Sequence, residues 1–402
     1  MGTGGLGTGG RASGGGTSGG ATGGAATGGN SASGGASSTG GVSGSGGRSL
    51  SGGTTGAAGM DARGGSASGG AASQGGALGS GGRSSGGSAG TQGAIDGGVP
   101  DAMSFPGDNN PVLAGLNADP QVALFDGVFY VYPTTDGFAN WEATSFSVWS
   151  STNLVQWTSR GVVLDLPKDL KWATGHAWAP GIARRGSTYY FYFCADSQIG
   201  VATGSSPLGP FKDALGHALI TARQYGPQSI DPYLFTDDDG TPYLYFGSGT
   251  GGLRVVKMNS DMISFSGTPT NISPSGASGV LEGSVMFKRN GTYYLQWSEG
   301  DTRNATYQVA YAKATSPLGP FTRLAVILKQ DTNLGILGPG GHTVLAIPER
   351  DEYYAVYHRF KLPGGDGTHR EVCIDRMYFN ADRTIAPVKP TLQGLQTAVA
   401  PP

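Results

Sequence analysis

No aromatic residue occurs in the first hundred positions of this 402-residue chain, and Leu, Ile and Val are scarce there. The same stretch carries about 41 of the 74 glycines, with Ser, Thr and Ala filling most of the rest. A segment of that composition cannot bury enough apolar surface to offset the entropy of ordering it. It therefore predicts a disordered Gly/Ser/Thr/Ala-rich tether over residues 1–104. The glycines lack a strict three-residue period, which excludes a collagen triple helix. Only two cysteines are present, Cys194 and Cys373. They are too few for a disulfide scaffold and read as buried free thiols. Lys+Arg (26) and Asp+Glu (28) nearly cancel, leaving a net charge of −2 with no basic run. This argues against nucleic acid as the main partner. No apolar run is long enough for a membrane span. The opening Met-Gly-Thr-Gly-Gly-Leu has no basic and apolar regions of an export signal, and Leu6 breaks the myristoylation pattern.

All 38 aromatics (6 Trp, 17 Tyr, 15 Phe) therefore fall in the later residues. There the chain reads as strands, rich in Tyr, Phe, Val, Thr and Ile and broken by Asp-Gly, Asn-Gly and Pro. No long stretch shows helical spacing of apolar residues. One pattern occurs five times: an apolar strand, a tight turn, then an aromatic strand. The aromatic strands are Phe129-Tyr130-Val131-Tyr132, Tyr189-Tyr190-Phe191-Tyr192-Phe193, Tyr243-Leu244-Tyr245-Phe246, Tyr293-Tyr294-Leu295 and Tyr353-Tyr354-Ala355-Val356-Tyr357. The phrase Ser-Pro-Leu-Gly-Pro-Phe stands at 206–211 and again at 316–321, two periods apart. Each period has room for about four strands, the content of one propeller blade. The expected fold is all-β, a five-bladed β-propeller over residues 105–402. A sandwich predicts no such self-similarity.

In a propeller the innermost strands surround one axis, so equivalent positions share a pocket. Counting back twelve residues from Tyr190, Tyr243, Tyr294 and Tyr354 reaches Trp178, Asp231, Glu282 and His342. Counting back eleven from Tyr130 reaches Asp119. Three carboxyls converging on one hollow repel, so at least one holds its proton above the ordinary range. That is the requirement of general acid–base chemistry, and Trp178 offers a stacking face for a sugar. A lone Asp-Pro such as Asp119-Pro120 or Asp231-Pro232 reads first as a turn. Three acids, a Trp and a His at matched phase do not. The run Asp237-Asp238-Asp239-Gly240 is expected to be a hairpin turn and not a calcium loop, since the later Glu of such a loop is missing.

The chain resembles glycoside hydrolase family 43. The resemblance rests on Asn117-Ala118-Asp119-Pro120, Ala177-Trp178-Ala179-Pro180, Ser229-Ile230-Asp231-Pro232, Glu282-Gly283-Ser284, Gly341-His342 and Tyr357-His358-Arg359, in that order, across about residues 110–395. It implies an inverting hydrolase of arabinose- and xylose-containing plant polysaccharides. Asp119 would be the general base, Glu282 the general acid, and Asp231 the residue that positions the acid. An inverting pair stands roughly 6.5–9.5 Å apart to admit water. The resemblance places an arginine of the last blade against substrate hydroxyls, Arg370 in preference to Arg359. It places His342 near the axis, either holding a hydrated Ca²⁺ or as a metal-free pocket histidine. Trp141 and Phe138 are expected to wall the sugar site. His176 and His217 carry no expected role, and His358 and His369 no assignment.

These readings lead to an enzyme that removes α-L-arabinofuranosyl or β-D-xylosyl units from hemicellulose or arabinan and requires no cofactor. It would be an extracellular or surface-tethered monomer. Two alternatives stand beside it: an endo-α-1,5-L-arabinanase, and a non-catalytic carbohydrate-binding propeller. The presence of all three acids counts against the second.

Overall fold

The computed structural model describes residues 105–402, and the expected tether lies outside the described residues. Nineteen strands form five antiparallel meanders, each paired in sequence order. The first holds β1 (Asn117–Phe125), β2 (Val128–Thr135), β3 (Ser145–Ser151) and β4 (Thr158–Asp165). The second holds β5 (Trp178–Arg185), β6 (Thr188–Ala195), β7 (Gln198–Gly204) and β8 (Lys212–Asp213). The third holds β9 (Tyr233–Thr236), β10 (Pro242–Phe246), β11 (Arg254–Lys257) and β12 (Thr270–Asn271). The fourth holds β13 (Leu281–Arg289), β14 (Thr292–Glu299), β15 (Gln308–Ala314) and β16 (Arg323–Leu328). The fifth has only β17 (Gly340–Ile347), β18 (Glu352–Phe360) and β19 (Arg370–Met377). The innermost strands β1, β5, β9, β13 and β17 neighbour one another in that order, and β17 returns to β1. This is the five-bladed β-propeller expected from the repeats.

Turn chemistry sets the hairpins. Asp126-Gly127 and Asn290-Gly291 join β1 to β2 and β13 to β14, and all four residues have positive φ. That is the type I′ geometry matching strand twist. Asp237–Gly240 closes the β9–β10 hairpin as expected, with the Asp237 N–H donating to the Thr241 carbonyl.

Each of five apolar clusters fills the gap between two adjacent blades. Both faces of a blade are therefore buried, which explains the unbroken aromatic run of β6. Phe191 and Phe193 point toward the first blade, and Tyr192 toward the third. The repeated Ser-Pro-Leu-Gly-Pro-Phe phrase is an inter-blade latch. The Tyr132 hydroxyl donates to the Pro207 carbonyl (2.6 Å), and Tyr245 to that of Pro317 (2.7 Å). Phe211 and Phe321 join the same clusters as those tyrosines. Cys194 and Cys373 are buried and free.

Segments on either side of the propeller strands, around residues 110–112 and 391–396, complete the three-stranded blade. The Val112 N–H donates to the Val372 carbonyl (2.8 Å), and Asn110 Oδ1 accepts from Ile374 N–H (2.8 Å). Asn110 N–H in turn donates to the Leu392 carbonyl, so the exposed edge of β19 is covered. Arg359 belongs to this closure and not to the sugar site. It is 1% exposed, with Nε on Glu371 Oε1 (2.9 Å) and Nη2 on the Asn110 carbonyl (3.2 Å). Arg359→Ala strands a buried Glu371 carboxylate, and is expected to cost about 3 kcal/mol or more. The denaturant midpoint should fall with an unchanged slope.

Candidate active site

The inner strands do not run straight into the axis. Strand registers break at Ala118/Gln121, Trp178/Gly181, Glu282/Val285 and Gly340/Thr343. At each break, and at the matching place before β9, one residue takes the left-handed conformation: Asp119 (φ 45°), Ala179 (40°), Asp231 (57°), Gly283 (58°) and Gly341 (49°). These bulges re-aim side chains into the central hollow. They also correct the matched-phase reading. Asp119 and Asp231 are bulge residues, whereas Trp178 and Glu282 precede theirs by one residue and His342 follows by one. Counting from the aromatic strands is blind to an inserted residue. Glycine is required at 341, where a Cβ would overlap Asp119 Oδ1 and the His358 ring.

Asp119, Trp178, Asp231, Glu282, His342, Trp141 and Arg370 all line one solvent-open cavity of about 210 Å³. Phe138 does not; it is 45% exposed and stands outside the lining. The backbone explains the correction. Asn140 and Trp141 both have positive φ, and that reversal carries Trp141 inward and leaves Phe138 outside.

Asp119 sits between the Arg370 guanidinium and the His358 ring, and its backbone N–H donates to His358 Nδ1 at 3.2 Å. Arg370 Nη1 lies 3.2 Å and His358 Nδ1 3.1 Å from its Oδ1. Burial opposes its ionisation, but the Arg370 guanidinium, His358 and the Thr134 hydroxyl outweigh burial and hold the carboxyl well below the usual range. Arg370 is itself clamped by a carboxylate that the sequence reading missed. Asp136 accepts from Arg370 Nε and from its backbone N–H, each at 2.9 Å. Asp136 stands six residues after Tyr130, where the second blade has Asp196 six after Tyr190. Asp196 holds His176 at 3.0 Å, and the His176 ring meets Trp178 edge-on. The repeat carried that signal.

Across the cavity the balance reverses. Burial, then the charges of Glu282 and Asp119, push Asp231 well above the ordinary range, against one hydrogen bond from Gly283 N–H (3.0 Å). Burial also raises Glu282, opposed by two hydroxyls. Ser248 Oγ donates to Oε2 at 2.7 Å, and Tyr307 OH to Oε1 at 2.8 Å. Neither hydroxyl was foreseen. Ser248 follows the second strand of its blade and Tyr307 precedes the third strand of the next, and no motif marks them. One carboxyl shifted down and two shifted up thus face the same space, the kind of division acid–base chemistry needs.

Two tryptophans form a wall. Trp178 Nε1 donates to the Trp141 carbonyl (2.6 Å), and Trp141 Nε1 to the Gly367 carbonyl (2.7 Å). Toward the axis, His342 Nε2 meets Gln296 Oε1 at 2.6 Å, while its buried Nδ1 has no partner. Burial and the neighbouring His358 push its pKa down to about 3, so the ring stays neutral.

Comparison with known proteins agrees with this geometry. The family model described as glycosyl hydrolases family 43 matches residues 109–385. A protein named β-D-galactofuranosidase xynD, from Aspergillus niger, is 37% identical over 301 residues, covering 71% of this chain and 86% of that protein. A solved family-43 arabinoxylan arabinofuranohydrolase from Bacillus subtilis, in complex with cellotetraose, superposes with a TM-score of 0.64 at 30% identity, over 74% of this chain and 71% of that one. A β-xylosidase/α-arabinofuranosidase from a compost metagenome, solved with xylotriose in a calcium-free form, gives 0.59 at 30% identity, over 71% and 98%. A propeller with these acids at its axis and a family match over most of its strands leaves one conclusion: the chain belongs to glycosyl hydrolase family 43.

Proposed function

We propose that this glycoside hydrolase removes a terminal α-L-arabinofuranosyl or β-D-xylosyl unit from a plant polysaccharide with inversion. The observation that carries the reading is that Asp119 and Glu282 line one cavity with their carboxyls shifted in opposite directions, Asp119 down beside Arg370 and Glu282 up by burial. Asp119, ionised beside Arg370, takes a proton from the attacking water. Glu282 gives its proton to the departing glycosidic oxygen. Asp231 accepts the Gly283 N–H and so fixes the backbone beside the acid. Trp178 and Trp141 present faces to the sugar ring, and Arg370, anchored by Asp136, has Nη1 beside the base.

Ca²⁺ takes six to eight oxygen ligands. His342 offers one nitrogen, and no group of three or more His, Cys, Asp or Glu among the described residues could hold a metal. The buried, unpartnered His342 Nδ1 is the nitrogen that would face a hydrated Ca²⁺, whose oxygen ligands would then be water, and no step is assigned to such an ion. No helix among the described residues is long and apolar enough to cross a membrane. An extracellular or surface-held monomer is the setting that suits a polymeric substrate.

The test is a panel of p-nitrophenyl arabinofuranoside, xyloside and β-D-galactofuranoside with debranched arabinan, the first-formed anomer being followed by NMR. The expected product is the inverted anomer from a terminal pentoside. A retained anomer would refute the assignment of Asp119, and cleavage of arabinan alone would favour the endo-acting alternative.

A further inference from the structure

The two hydroxyls on Glu282 belong to a longer chain of contacts. Tyr307 is 2% exposed, and its hydroxyl donates to Glu282 Oε1 at 2.8 Å. Ser298 Oγ accepts from Gly341 N–H at 3.0 Å, the bulge residue packed against Asp119 and His358. The Tyr307 ring lies parallel to the His358 ring, with an interplanar angle of 2° and centroids 5.8 Å apart. His358 is the histidine against Asp119. One tyrosine thus touches the acid through its oxygen and packs through its ring on the residue that supports the base. A Cβ at Gly340 would overlap the edge of the Tyr307 ring, so glycine is what lets the ring pack there.

We infer that Tyr307 is a positioning residue that, together with Ser248, cradles Glu282 between two hydroxyls and ties it through His358 to Asp119. This rests on the reading of Glu282 as general acid. A hydrogen bond donated to a carboxylate favours its ionised form. The cradle therefore opposes burial: the two hydroxyls favour the ionised form and burial the protonated one. Removing a donor must raise the pKa of the acid and carry the alkaline limb of the kcat/KM profile to higher pH. One hydrogen bond to a charged group corresponds to a shift of about one pH unit.

The experiment measures kcat/KM against pH for the full chain and for Tyr307→Phe, Ser248→Ala and Tyr307→Leu, on a p-nitrophenyl glycoside and on an oligosaccharide. The phenylalanine variant keeps the ring on His358. Tyr307→Phe and Ser248→Ala should each move the alkaline limb up by about one unit. The loss should be larger on the oligosaccharide, whose leaving group needs the acid more. Tyr307→Leu also removes the ring and should move the acidic limb up, because Asp119 loses support from a well-placed His358. An alkaline limb unmoved in both Tyr307→Phe and Ser248→Ala overturns the cradle, and an acidic limb unmoved in Tyr307→Leu overturns the link to Asp119. Should Tyr307→Phe fail to fold, Ser248→Ala decides the cradle alone. Glu282→Gln separates the levels: if it cleaves the oligosaccharide like wild type, the acid assignment fails; if it is inactive while the limbs stay put, only the cradle fails.

Discussion

Glu282→Ala is expected to lower kcat on an unactivated oligosaccharide by about 10³–10⁴-fold, the upper range for loss of a general acid. On a p-nitrophenyl glycoside the loss should be much smaller, because that leaving group departs without a proton. This contrast separates an acid from a residue that merely fills the pocket. It also separates an enzyme from a carbohydrate-binding propeller, which would show no catalytic loss at all. The fold should survive. Glu282 is held above its ordinary pKa by burial, so the folded chain binds a proton that the unfolded chain has released. Stability from that group is present below the unfolded value, about 4.3, and is lost as pH rises through the folded value. Glu282→Gln removes this penalty. Its melting temperature relative to wild type should therefore climb between roughly pH 4 and neutrality. A variant that melts earlier at pH 7 than at pH 4, relative to wild type, would contradict the raised pKa on which the acid role depends.

How much of this was legible beforehand depends on what kind of signal each residue leaves. The blade count was readable because Tyr-rich strands buried on both faces recur with their Asp-Gly and Asn-Gly turns. The convergence of Asp119, Asp231 and Glu282 on one cavity was readable from the same phase, to within one residue. The residual error is physical. A bulge inserts a residue that leaves no hydrophobic trace, and only the left-handed backbone at Asp119, Ala179, Asp231, Gly283 and Gly341 reveals it. Phe138 and Trp141 were indistinguishable in sequence, since an aromatic in a loop carries no direction. Arg359 and Arg370 differ by the side of β18 and β19 on which each is placed: one closes the ring on Glu371, the other enters the cavity on Asp136. Tyr307 and Ser248 occupy loops or strand ends where residue identity follows three-dimensional neighbours and not local pattern.

Asp119→Asn should be the most damaging conservative change in the chain. The amide keeps the shape of the carboxyl and leaves the base without its charge. A general base contributes about 10²–10⁴-fold. Here the loss should reach the top of that range on every substrate, activated or not, because water attack is needed whichever group departs. That uniformity distinguishes Asp119 from Glu282. The surroundings sharpen the effect. Arg370 Nη1 donates to Asp119 Oδ1, and an asparagine placed there can still offer it a carbonyl oxygen, but a neutral one. Arg370 remains paired with the buried Asp136 carboxylate, so the variant should fold. Its acid stability supplies a second readout. The Asp119 pKa is depressed in the folded state, so its contribution is present above the unfolded value, about 3.9, and is lost as pH falls through the folded value. Wild type should consequently lose stability faster than Asp119→Asn below about pH 4, and equal acid sensitivity of the two proteins would show that Asp119 is not held ionised by Arg370.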